Sequence, residues 1–233
     1  MSKKINKLYL FLFSISLIYF LLFAAFYLVC FFDKNGLYKL IINMKTYNNL
    51  PFELSDFDLK NLCVELMEYI SLKIPFLETK VTINGVLTDF YSIRSKVHMG
   101  DVRNLIMMFR NGCFVAIVIC IYSLFKIKNS QININDLKNS YIKTLLITFS
   151  AICIIIIIAV TNFSFFFTKF HEILFTNDLW LLDPNTDYII CLLPEELFMT
   201  YGIRIVITMI IAILLPALCL QFLSKTQLHQ EAK

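Results

Sequence analysis

Leu8–Phe32, LYLFLFSISLIYFLLFAAFYLVCFF, is an apolar run of 25 residues with no charge in it. As a helix it would extend roughly 37 Å, beyond the about 30 Å of hydrocarbon in a bilayer, so it predicts a membrane span and decides the class of the chain. Lys3, Lys4 and Lys7 precede it. The run is longer than the apolar region of a cleaved signal and ends Val29-Cys30-Phe31-Phe32 rather than in small residues, so it is expected to be retained. The rest of the chain agrees. Of its 233 residues 58% are hydrophobic and only 16% charged, and the mean hydropathy is +0.72, a membrane composition.

Three further runs predict spans: Leu105–Phe125, interrupted by Arg110, Asn111 and Gly112; Leu145–Phe167; and Ile203–Phe222, with Pro216 near its far end. Arg110 is near enough to one end to snorkel to the surface, the preferred reading over one in which it reaches into a site. The chain then divides into an N-terminus with the first span (1–32), a cap (33–104), the second span (105–125), a loop (126–144), the third span (145–167), an interfacial segment (168–202), the fourth span (203–222) and a tail (223–233). In the cap, Ser55 with Asp58 three residues on opens a helix whose apolar positions are Leu59, Leu62, Cys63, Leu66, Met67 and Ile70. Gly36–Asn48 is a second short helical candidate, and Asn84-Gly85 between two β-favouring segments signals a hairpin. The expected fold class is an α-helical integral membrane protein: four transmembrane helices with a small α+β extracytoplasmic cap.

Charge sets the orientation. With the N-terminus inside, the three inner segments carry nine lysines against two acids, and the two outer segments carry ten basic and fifteen acidic residues, the positive-inside pattern. Both termini are therefore expected in the cytoplasm of a bacterial cell membrane, with the cap and the 168–202 segment outside. The net charge of +4 follows membrane side rather than clustering, which argues against a nucleic-acid partner. Cys30, Cys113, Cys120, Cys153 and Cys219 lie in apolar runs at no metal-ligand spacing; Cys63 and Cys191 lie outside them, open to a disulfide but read as free thiols. There is no Gly-rich phosphate loop, HExxH, GxSxG or CxxC, so dinucleotide, P-loop, zincin and hydrolase-elbow chemistries have no support.

The segment Phe170–Phe198, FHEILFTNDLWLLDPNTDYIICLLPEELF, carries a histidine, the single tryptophan and six carboxylates among aromatics, a composition suited to the membrane surface. Pro184 and the cluster Asp183–Asp187 break any continuous helix there. His98 and His171 fall beside different spans at one membrane depth, whereas His229 is in the tail. Two imidazoles can take and give a proton near neutral pH and so serve acyl transfer; the alternative is that each merely tolerates the polar interface. A divalent-metal site from His98 and Asp101 with His171 and Glu172 or Asp187 is disfavoured, because no ligands pair at i, i+4 on one helix face, and no metal or other cofactor is expected.

The motif HMGDV, His98–Val102, leading into a span, together with FHEILF, Phe170–Phe175, then Trp180, Asp183, Asp187 and LLPEELF, Leu192–Phe198, resembles the bacterial lipoprotein intramolecular transacylase family, in order and over nearly the whole chain. Ser95 stands where that resemblance leads one to expect an acid. The resemblance implies transfer of the sn-2 acyl chain of a diacylglyceryl lipoprotein to the α-amino group of its own N-terminal cysteine, with His98 and His171 catalytic. The partners implied are such lipoproteins and the lipid bilayer. Phe170, Phe175, Trp180 and Phe198 are candidate pocket walls or, alternatively, lipid-facing residues. Asp101, Asp183 and Asp187 are candidates to orient an imidazole or hold the amine, or else to cap helices or bridge to Arg103 or Arg204. Two rivals remain: an esterase with the same histidines and water as acceptor, and a non-catalytic membrane adaptor with pH-sensing histidines.

Overall fold

The computed structural model describes residues 3–130 and 132–231; residues 1–2, 131 and 232–233, parts of the expected inner segments, lie outside the described residues, as does the side chain of His229. The element order is α1 (Lys3–Phe31), α2 (Gly36–Met44), a 3-10 turn (Thr46–Asn49), α3 (Asp56–Ile70), β1 (Lys80–Ile83), β2 (Val86–Asp89), α4 (Ile93–Asn129), α5 (Ile134–Thr161), α6 (Phe163–Leu174), α7 (Ile189–Leu192) and α8 (Glu195–Glu231). Among the described residues, four helices are long and apolar enough to cross a membrane, within α1, α4, α5 and α8. The protein is a multi-pass membrane protein.

The helices do not stop where the apolar runs do. α4 begins at Ile93, well before Leu105, because Ser92 caps it: its hydroxyl accepts the Ser95 N–H at 3.0 Å. The run read as one span to Phe167 is cut at Asn162, whose backbone is extended (φ −157°, ψ 96°) and whose side chain accepts the Phe165 N–H. One asparagine thus satisfies a first-turn donor of a new helix and turns the end of the run into α6. α8 likewise starts at Glu195, directly after Pro194, with Glu195 and Glu196 in the first turn where the helix dipole favours acids. It continues through Pro216.

Contacts divide the chain into two compact units. The first comprises Met1–Tyr27, Phe109–Ile157 and Ile205–Lys233. Its small core is Ile18, Tyr141, Leu145 and Ile213. Pro216 has no N–H for the turn before it, and the buried Tyr141 hydroxyl donates into that turn, to the Ile213 carbonyl at 2.8 Å. Tyr19 lies against α4: its hydroxyl donates to the Phe109 carbonyl at 3.0 Å, and a Cβ on Gly112 would fall 2.5 Å from that hydroxyl. Gly112 is therefore a small-residue contact between helices, the kind that stands in for hydrophobic driving force in lipid.

The second unit, Leu28–Met108 and Ile158–Arg204, has the core of a water-soluble domain. Leu37, Leu40 and Ile41 of α2, Leu59, Leu62, Cys63 and Leu66 of α3, Val81 of β1, Met99 of α4 and Leu197 of α8 all join one buried cluster. Ser55 caps α3, accepting from the Asp58 N–H at 3.0 Å. β1 and β2 pair antiparallel, Ile83 opposite Val86, through Asn84 and Gly85 at φ +51° and +81°, the left-handed pair that such a tight turn requires. Cys63 and Cys191 are free thiols, and burial pushes the Cys63 thiol up to about 12.

Candidate active site

Arg94, His98 and Asp101 recur at four- and three-residue intervals, so they share one face of α4. Each meets the segment that follows α6. The ring of the buried His98 stands edge-on to Phe175, centroids 5.2 Å apart, and the Asp101 carboxylate accepts from the Asn177 side chain at 3.0 Å. The Arg94 guanidinium donates to the Leu181 carbonyl at 3.1 Å and also to that of Asp178. His98 Nδ1 is buried without a hydrogen-bond partner among the described residues.

His171 sits in the last turn of α6 and is buried. Its Nδ1 lies 2.7 Å from the Phe167 carbonyl one turn back. A carbonyl only accepts, so Nδ1 carries the proton, and in the neutral ring Nε2 keeps its lone pair. Around the ring stand Phe167 at 4.3 Å, Phe170 edge-on at 5.5 Å, Phe175 at 5.7 Å and Trp180 stacked at 4.9 Å with planes 27° apart. This surround has an electrostatic consequence. Burial lowers the His171 pKa below its ordinary value, against the Phe167 carbonyl and the Glu195 charge, which favour the protonated ring. The centroids of the two histidine rings are 5.9 Å apart.

The structure thus brings together His98, His171, Phe170, Phe175 and Trp180, with Asp101 one turn along α4. Phe198 stands behind, against Phe167 at 5.1 Å. Of the remaining candidates, Asp187 and Arg103 bond to other parts of the fold. Asp187, 2% exposed, accepts from the Ser92 hydroxyl, from the Asp183 N–H at 2.9 Å and from Thr186 at 3.5 Å, tying the loop to the start of α4. Asp183 is exposed and closes a turn on Asn185. Arg103 donates to the Tyr69 carbonyl at 2.5 Å and to that of Ile74, with its guanidinium over the Tyr69 ring at 4.7 Å, at the end of α3. Arg204 is exposed on α8. Glu172 pairs with Lys169 on the outside of α6 at 2.5 Å, and no group of three or more His, Cys, Asp or Glu able to hold a metal ion occurs among the described residues.

Sequence reasoning missed Phe167, Asn177, Ser92 and Arg94. Phe167 was within reach of it, since a residue four before a helical histidine offers both a ring and a carbonyl to the imidazole. The other three act on partners distant in sequence and carry no local signal. Chemically, the arrangement offers one imidazole nitrogen with a free lone pair and a second imidazole beside it, in a buried aromatic surround. Such a pair can relay protons between an attacking and a leaving group.

The chain matches the family model described as Lipoprotein intramolecular transacylase Lit over residues 11–198. In structure it is similar to the membrane integral lipoprotein intramolecular transacylase Lit from Bacillus cereus, with a TM-score of 0.73 at 21% identity, covering 97% of this chain and 99% of that one. Two structures of the same Bacillus cereus protein, one with a histidine replaced by arginine and one with it replaced by alanine, match at TM-scores of 0.71 and 0.70, each at 19% identity. They cover 97% and 96% of this chain and 95% and 96% of theirs. At that identity the likeness concerns the fold. No curated protein matches the chain by sequence.

Proposed function

We infer the function from a premise the family match supplies: the chain belongs to the lipoprotein intramolecular transacylase Lit family, and its activity is acyl transfer within a lipoprotein. We propose that it moves the sn-2 acyl chain of a diacylglyceryl lipoprotein to the α-amino group of that lipoprotein's N-terminal cysteine, and that His98 and His171 carry the protons. Attack joins the amine nitrogen to the ester carbonyl carbon through Cα, Cβ, sulfur, two glyceryl carbons and the ester oxygen. That eight-membered ring forms readily only if the site folds the substrate, and rigid aromatic walls at Phe170, Phe175 and Trp180 suit this task.

The observation that carries the assignment of roles is the His171 hydrogen bond to the Phe167 carbonyl, which leaves Nε2 as the acceptor. His171 takes the proton the amine loses and passes it to His98, which gives it to the glyceryl oxygen as the carbon–oxygen bond breaks. Both rings end neutral as they began, so no proton is gained or lost. Lowered basicity from burial keeps His171 neutral, and hence competent as a base, near neutral pH. The lysine excess in the inner segments supports cytoplasmic termini and a site at the extracellular face, where mature lipoproteins are found.

The test is the lipoprotein itself. In cells carrying this chain, tandem mass spectra of lipoprotein N-termini should place one acyl chain on the cysteine nitrogen and leave a free glyceryl hydroxyl. The product should vanish with His171→Ala. Release of free fatty acid in its place would move the assignment to ester hydrolysis, and unchanged lipoproteins with the native chain would remove the proposal altogether. Cysteines introduced at Asn177 and Thr186 should label from outside intact cells, and at Lys126 should not.

A further inference from the structure

Arg94 belongs to none of the sequence motifs, and its guanidinium donates from Nε and one Nη to two backbone carbonyls, those of Leu181 and Asp178. These carbonyls bracket Trp180. The ring of Trp180 is stacked on His171 at 4.9 Å, and Arg94 stands one helical turn before His98 on the same face of α4. A continuous path therefore runs from the helix that carries one histidine, through the arginine fork and the tryptophan, to the ring of the other.

We propose that Arg94 is a positioning residue for the histidine pair, acting through Trp180. Two things about the geometry point to it. First, a planar guanidinium can reach two carbonyls from one fixed fork, whereas a lysine ammonium offers a point charge with no preferred plane. Second, Trp180 stands in the described contacts mainly by its stack on His171, with backbone hydrogen bonds only from its immediate neighbourhood, so the bracketing carbonyls are what relate its ring to α4. Releasing the fork lets the indole slide off the imidazole, and the space between the histidine rings then varies. The effect falls on the orientation of the reacting groups rather than on substrate affinity.

The inference rests on the transacylase site proposed above, and its test separates the two. Trp180 is the single tryptophan, so its emission reports this contact alone. In purified protein in detergent, Arg94→Ala and Arg94→Gln should shift Trp180 emission and raise its quenching by acrylamide, while circular dichroism and the unfolding temperature change little. In steady-state assays kcat should drop roughly tenfold or more, the scale of loss expected from small misplacement of reacting groups, with KM nearly constant. Arg94→Lys should recover only part of the rate. In a Trp180→Ala background Arg94→Ala should add less than about threefold, because the two residues act on one path. Full multiplication of the two losses, or unchanged Trp180 emission in Arg94→Ala, would overturn the proposal. Emission responds whether or not the histidines are catalytic. A shifted emission with activity retained in His98→Ala would therefore indict the site and leave the tether standing.

Discussion

The two units of this protein are held together by different physics. Among the described residues, the second buries sixteen hydrophobic residues in one cluster drawn from α2, α3, β1, α4, α7, α8 and the segments between them, as a water-soluble domain does. The corresponding cluster of the first, among the described residues, has four, and its specificity comes from single polar or steric contacts: Tyr141 to the Ile213 carbonyl, Tyr19 to the Phe109 carbonyl, Gly112 beneath Tyr19. In lipid the outward faces have nothing to gain from burial, so helices choose partners by fit and by occasional hydrogen bonds. The candidates for the chemistry lie in the unit with the larger core. Both histidines, and all the groups that touch them, belong to it.

If the chemistry resides there, the largest effect should come from its histidines. His98→Ala and His171→Ala should each lower turnover by about 10² to 10⁴-fold, and the double variant should be scarcely worse than either, because removing one member of a proton-handling pair disables both. Mass spectrometry of the acyl shift measures this. The same pair predicts the pH profile. A neutral His171 is required as base, and burial lowers its pKa, so the acid limb should lie below the ordinary imidazole range. For stability the sign is the same. The unfolded chain binds a proton on His171 more readily than the folded one, so the folded state is destabilised as pH falls through that range, and His171→Phe should flatten the dependence. An acid limb at or above the ordinary imidazole value would assign the base elsewhere.

Next in size is a direct contrast of cores. Leu62→Ala, at a site 1% exposed in the second unit, should cost about 2–5 kcal/mol by cavity formation and lost transfer energy. Ile18→Ala, equally buried at 1% in the first, should cost less, because the unfolded reference in lipid already surrounds the side chain with hydrocarbon. Thermal unfolding in one detergent compares them, and equal losses would erase the distinction between the units.

A smaller effect probes the steric contact. Gly112→Ala places a methyl against the Tyr19 hydroxyl and should destabilise by about 1–3 kcal/mol, and Tyr19→Phe should return part of the loss by removing the nearest atom. Absence of such rescue would mean that the glycine is needed for something other than fit. The smallest expected change is Tyr141→Phe, about 0.6 kcal/mol, the average for hydrogen bonds between membrane helices. A loss as large as that of Leu62→Ala would show that the carbonyl near Pro216 depends on this hydroxyl far more than membrane precedent allows.

Much of the fold was legible residue by residue. Four spans, the α3 cap at Ser55 and the Asn84-Gly85 hairpin follow from run length, helical period and turn chemistry, all local quantities. Where reading by hydropathy went astray, the cause was again local but polar. Asn162 ends α5 inside an apolar run, and Ser92 starts α4 before the apolar residues begin, since a cap needs one side-chain oxygen and no hydrophobicity. His98 and His171 stood out as ionisable residues at one depth, yet nothing in the chain's order required their rings to meet.

The sequence by itself determined the solvent each segment would choose and the periodic structure it would form there, because burial and backbone satisfaction act over a few neighbouring residues. Tertiary structure alone decided what each polar side chain does. Asp187 and Arg103, both plausible site residues from their positions, bond to the start of α4 and to the end of α3, while Arg94, unremarked in the chain, bonds to the carbonyls that bracket Trp180. Those outcomes depend on carbonyls and carboxylates up to 95 residues away. A hydrogen bond is short and directional, so which partner it finds is settled only when the packed helices bring one within reach.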